Sequence, residues 1–182
     1  GDHCLMDRNC HKSLNHAMII TGATPSYMIP MRNALGIIGP VDFSTVDKKQ
    51  NFAMAVLTNS TYDGICYNTE EAARAMGKAK VLHFDEAWYA YARFHPLYGG
   101  HYGMSMQDRS RLIFCTQSTH KLLTALSQAS MIHVKYTADI ANDTALEDDF
   151  HDTFNESYMM HSSTSPQYSM VASLEVATRM MA

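Results

Sequence analysis

Cysteine is scarce in this chain: Cys4, Cys10, Cys66 and Cys115 are the four among 182 residues, and they follow no paired spacing. That argues against a secreted disulfide framework and for reduced thiols in a cytoplasmic protein. No apolar run approaches the ~20 residues of a membrane span, and the opening GDHCLMDRNC has no basic region followed by an apolar stretch. The reading is therefore neither a membrane protein nor a secreted one. An excess of positive charge is missing too: 14 Lys and Arg stand against 18 Asp and Glu, a net charge of -4, with no basic face of the kind that binds phosphate backbones. Nucleic acid is thus not an expected partner. A zinc site lacks its spacing, because there is no C-x-x-C pair, and His3 and Cys4 would point to opposite faces of a strand.

What is present is 46% hydrophobic residues, enough for one domain with a real core. Short apolar runs read as buried strands at HCLM (3–6), SYMIPM (26–31), AMAVLT (53–58), KVLHFD (80–85), RLIFCTQ (111–117) and SMIHVK (130–135). Helical segments lie between several of them, at 11–22 and at 68–80, the second with Thr69 as its cap and acids in its first turn. Alternating strand and helix predicts an α/β fold, a mostly parallel sheet flanked by helices. The acidic stretch 138–152 reads as a solvated connection or the start of an exposed helix, and Pro166 separates two further elements.

Ligands of parallel sheets bind beyond the carboxyl ends of the strands. The polar residues there are those of DRNCHKS (7–13), TNSTYDG (58–64), FDEAW (84–88) and TQSTHK (116–121). Lys121 follows a strand and precedes an apolar stretch read as a helix, with Ser118, Thr119 and His120 as donors for an anionic group. A free lysine amine is neutral in only about one molecule in a few thousand at pH 7, and burial or a nearby positive charge can raise that fraction greatly. The commoner use of a lysine in a first helical turn is as a solvated surface residue. Asp85 closes KVLHFD; it can cap a following helix or hold a proton on a heteroaromatic nitrogen. A Schiff-base lysine with such an acid is the pair that a pyridoxal phosphate site requires. His11 can stack on a ring or start a helix by bonding its backbone.

Five stretches carry a resemblance to a known family: DRNCHKSLNHAMIITGATPSYMIPMRNALGIIGP (7–40), LTNSTYDGICYNT (57–69), HFDEAWYAYARFHPLY (83–98), TQSTHKLLTALSQASMIHVK (116–135) and ESYMMHSSTSPQYSMVASLEVA (156–177). In these the chain resembles the bacterial-type ornithine/lysine/arginine decarboxylases, pyridoxal phosphate enzymes of the aspartate aminotransferase fold (fold type I). The resemblance implies that residues 1–182 are a partial, cofactor-binding major domain. It implies pyridoxal 5'-phosphate as cofactor, bonded by Lys121, with Asp85 at the pyridine nitrogen. His11 would stack on one face of the ring and Ala87 on the other, with Trp88 close by and Ser118 and His120 at the phosphate and substrate end. It also implies a homodimer sharing its active site, in which Ser163 reaches the partner's cofactor phosphate, with the full-length protein open to higher assembly.

The expected activity is decarboxylation of arginine, lysine or ornithine to the corresponding amine. Family members are longer, with a phosphate-holding Gly-Thr-Ser loop before the point matching Gly1, so the natural chain is expected to begin earlier. The connection after Pro40 reads as shorter than the family's, with its helix clipped. Two other readings stand beside this one: another enzyme of the same cofactor fold, such as an aminotransferase, and a non-catalytic chain that binds a decarboxylase subunit.

Overall fold

The computed structural model describes residues 1–182. Its centre is a six-stranded sheet formed by β1 (His3–Asp7), β2 (Thr24–Met28), β5 (Met54–Thr58), β6 (Val81–Asp85), β7 (Leu112–Gln117) and β8 (Met131–Lys135). Their spatial order is β2-β1-β5-β6-β7-β8. The first five run parallel, and β8 pairs antiparallel with β7. All six predicted runs are strands, and the predicted mostly parallel α/β class is what forms.

Between β2 and β5 the chain makes a small hairpin, β3 (Pro30–Arg32) with β4 (Ile38–Val41). Its turn is set by Asn33, whose Oδ1 accepts from the N–H groups of Leu35 and Ile37, and by Gly36 at φ 79°. The single run read at 26–31 therefore splits, because Met28 ends one strand and Pro30 begins another. The link to β5 contains only a turn of 3₁₀ helix at Phe43–Thr45.

Each sheet face has its own cover. Alternation along the strands sends Leu5, Ala55, Leu57, Leu82, Phe84, Ile113 and Cys115 to one face, where they form the main core with Ala72, Ala73 and Met76, which belong to or follow α2 (Thr69–Ala75). The cap of α2 is Asn68, whose Oδ1 accepts from Glu71 N–H, rather than Thr69; Thr69 is fully buried, with its hydroxyl on the Gly100 carbonyl. The opposite face carries Cys4, Met6 and Val56 under Leu14 and Met18 of α1 (Lys12–Thr21).

The acidic stretch resolves into two exposed helices, α4 (Ala138–Asn142) and α5 (Thr144–Met159), neither with a buried residue. Phe154 of α5 stacks 6.0 Å from Phe114 of β7, which ties this helix to the sheet. Residues 160–167 then lead to α6 (Tyr168–Met181). No helix is long and apolar enough to cross a membrane.

Gly103 packs where no side chain fits. A Cβ there would lie 2.3 Å from Cys115 Sγ and 2.7 Å from Phe84 Cδ2. Gly103→Ala is expected to cost about 1–3 kcal/mol by overpacking the core. In urea denaturation the midpoint should fall at unchanged slope.

Candidate active site

The carboxyl ends of β1, β5, β6 and β7 meet on one side of the sheet, and the polar residues just beyond them converge. His11 is the N-cap of α1: its Nδ1 accepts from Ser13 N–H at 3.3 Å and lies 2.8 Å from Ser13 Oγ. The ring is exposed. Asp85, the last residue of β6, is buried and accepts from Ala87 N–H at 3.2 Å. It caps a turn and not a helix, since the chain continues through Trp88 without one.

Lys121 sits in α3 (Thr119–Leu122), a single turn opened by Ser118. The apolar stretch after it does not go on as the expected helix. Leu123 is extended, and Gln128 adopts φ 75° on the way to β8. Lys121 is exposed, with Nζ 5.0 Å from the centre of the Trp88 ring, and Trp88 in turn meets Tyr62 edge-on at 5.2 Å.

A cavity of about 370 Å³ brings these parts together. His11, Asp85, Ala87, Ser118 and Lys121 all line it. Of the other predicted site residues, Trp88, His120 and Ser163 do not line it, although Trp88 packs against Lys121. Ser163 lies exposed in the segment between α5 and α6, its Oγ accepting from Ser165 N–H.

Sequence reasoning missed His83 and Thr116 in the cavity wall, joined Nε2 to Oγ1 at 3.0 Å. The signal was available, because His83 and Asp85 are two residues apart on one strand and so share a face. His83 is half-buried, and desolvation holds its ring below the usual histidine range, against the pull of Asp85. Asp7, at the end of β1, is buried and accepts from Asn9 and Thr58 N–H groups. Burial pushes its carboxyl above the usual range.

Glu86 was missed as well. It points to the opposite face, fully buried, where Oε1 accepts from Gly103 N–H at 2.7 Å and Asn59 Nδ2 at 3.4 Å, and Oε2 accepts from Gln117 Nε2 at 3.2 Å. Burial outweighs these bonds and pushes its carboxyl up from 4.5 to about 7. The folded chain thus favours the protonated form. Its contribution to stability is full below about pH 4.5 and is lost as the pH rises to about 7. Glu86→Gln should flatten that loss, of about 3 kcal/mol, in denaturation curves taken across this range.

A larger cavity, about 740 Å³, lies against the Glu86 face and is lined by Arg93, Gln117 and His133 among others. It contains neither Lys121 nor Asp85, so the smaller cavity is the candidate site.

The smaller cavity fits a pyridoxal phosphate-like group in its donor set. It has an amine, a buried carboxylate, an imidazole and hydroxyls at strand ends, and beside Lys121 the buried Thr119 hydroxyl has no partner. The mostly parallel sheet, with Asp85 ending β6 and Lys121 in the turn after β7, has the architecture of the fold type I class. The chain belongs to the Orn/Lys/Arg decarboxylase family, whose major-domain model matches residues 1–182. Among its relatives are lysine decarboxylase LdcA of Pseudomonas aeruginosa, 50% identical over 99% of this chain and 26% of that protein, and the biodegradative arginine decarboxylase of Escherichia coli, 45% identical over 100% of this chain and 26% of that one. The solved constitutive lysine decarboxylase of E. coli superposes at a TM-score of 0.84 with 42% identity, covering 100% of this chain and 26% of that structure. The chain thus spans about a quarter of the length of the curated relatives it matches.

Proposed function

We propose that residues 1–182 are a cofactor-binding part of a pyridoxal phosphate-dependent decarboxylase acting on arginine, lysine or ornithine. The observation that carries this reading is the cavity that Lys121, Asp85, His11 and Ala87 share at the strand ends. The bound cofactor supplies an electron sink for the pair left behind when carbon dioxide departs.

Each residue then has its task. Lys121 Nζ would be the amine that holds the cofactor and, when free, the base that holds and returns a proton. Asp85 is the acid that keeps the pyridine nitrogen protonated; its burial strengthens that charge pairing. His11 and Ala87 hold the ring on its two faces, with Trp88 at its edge. Ser118 and His120 serve the phosphate and substrate end. A homodimer with a shared site, in which Ser163 of one protomer reaches the other's phosphate, agrees with its exposure here, and a cytoplasmic location agrees with the free thiols.

Labelled carbon dioxide released from carboxyl-labelled arginine, lysine or ornithine by the intact protein is the expected result. Keto-acid formation without it would make the protein an aminotransferase of the same fold. Neither product, with tight binding to a decarboxylase subunit, would make it the non-catalytic partner.

A further inference from the structure

Glu86 is adjacent to the proposed ring-nitrogen acid and yet faces away from the cavity. Alternation explains this: Leu82, Phe84 and Glu86 share the core face, and the first two are buried. A carboxyl that continues an apolar row needs partners, and Glu86 has them from three other segments. Asn59 follows β5, Gly103 begins the turn against the core, and Gln117 ends β7. Beyond Gln117, its Oε1 lies 3.1 Å from His133 Nε2 on β8. One row of side chains therefore joins the ends of β5, β6 and β7 to β8, directly behind the segments that carry Asp85, Ala87 and Lys121.

The row has a polarity. With Glu86 ionised, Gln117 Nε2–H donates to Oε2, and Gln117 Oε1 accepts from His133 Nε2–H. When Glu86 is protonated on Oε2, that O–H donates to Gln117, so the Gln117 amide turns over and presents its oxygen. Its NH₂ then donates to His133 Nε2, which must give up its proton while Nδ1 gains one, leaving the ring neutral. Net uptake is the single proton on Glu86. Gly103 and Asn59 keep donating to Oε1 in both states.

We propose that Glu86 is a proton-dependent positioning residue for the site: its bridge to Gln117 holds the Asp85–Ala87 turn against the Ser118–Lys121 turn, and protonation reverses that bridge and exchanges the tautomer of His133. The positioning half rests on the cofactor reading above, and the switch itself does not. Other titratable groups face the row without supplying a competing charge at its centre. The Cys115 thiol from β7 is driven up by burial and by Glu86, so it stays neutral. Lys135 on β8 spends its ammonium on the Met104 and Met106 carbonyls. From the 101–103 segment, His101 offers only its carbonyl, to Asn59. Burial lowers His133 itself, which disfavours a positive charge on its ring, and Asp85 lies on the other sheet face.

The test is ring-nitrogen NMR of the ¹⁵N-histidine-labelled chain between about pH 5.5 and about pH 8.5. His133 should pass from the Nδ1–H to the Nε2–H tautomer as the pH rises, with a midpoint near that of Glu86, about 7. In Glu86→Gln the tautomer should be constant over the range, and in Gln117→Met, which cuts the bridge, constant as well. An unchanged midpoint in Glu86→Gln, or a single tautomer throughout in the wild type, overturns the switch. Pyridoxal phosphate titration tests the positioning: its affinity should change across the same midpoint in the wild type and stay level in Glu86→Gln. Equal pH profiles in the two chains overturn that half, and absence of cofactor binding at every pH overturns the cofactor reading while leaving the NMR result to stand on its own.

Discussion

Lys121→Ala is expected to reduce decarboxylation by at least ~10³-fold, the scale on which a positioned proton-transferring group is lost. The loss has two sources. On the proposed function, Lys121 would be both the amine that holds the cofactor and the base that returns a proton. No neighbour can replace it: in the cavity wall the other nitrogen groups are the imidazoles of His11 and His83 and the Gln117 amide, none of them a primary amine. Folding should be untouched, because Lys121 is exposed and its ammonium makes only the contact with the Trp88 ring, a contact of the ~0.5–1 kcal/mol class at exposed sites. Unchanged denaturation with lost turnover is the signature. Turnover within tenfold of the wild type would remove Lys121 from the chemistry.

Asp85→Asn is expected to lower kcat/KM by about 10²–10⁴-fold while leaving the fold nearly as stable. An amide preserves the shape and still accepts from Ala87 N–H, which the carboxylate does at 3.2 Å. What it removes is the negative charge. Without that charge nothing in the cavity wall favours a protonated ring nitrogen, since the remaining lining groups there are neutral, hydroxyl or cationic. Asp7, at the end of β1, does not line the cavity and is engaged by the Asn9 and Thr58 N–H groups, and burial raises it. Asp85→Ala should be worse by a further loss of packing, because the site is buried. A mutant that differs from wild type only in KM would mean that Asp85 binds substrate and does not tune the cofactor.

Strand placement was legible because each buried parallel strand is a short apolar run bounded by polar residues, and all six such runs fold as strands. Direction was not. SMIHVK looks like its neighbours, yet β8 pairs antiparallel with β7, because residues 118–130 form one helical turn and a loop rather than a crossover helix. The hairpin of β3 and β4 hides in one apolar run because Pro30 reads as a break only once Asn33 and Gly36 are recognised as its turn.

The candidate site was legible where a residue ended a strand and was chemically conspicuous, as Asp85, His11 and Lys121 are. It was not legible where function depends on the face. His83 sits inside the run KVLHFD and counts as cavity wall only through its shared face with Asp85. Glu86 carries no chemical signal of its own in FDEAW, and its burial follows from the Leu82–Phe84 row it extends. Ser163 gained its role from resemblance alone, and within one chain neither it nor His120, read as a donor for an anionic group, lines the cavity.

The central claim is that Lys121 bonds the cofactor. The direct measurement is borohydride reduction of the protein loaded with pyridoxal phosphate, followed by peptide mass mapping of the phosphopyridoxyl label. The account predicts one stoichiometric label on Lys121, absent from Lys121→Ala. Label spread over Lys12, Lys80 and other surface lysines, or none at Lys121, would contradict it.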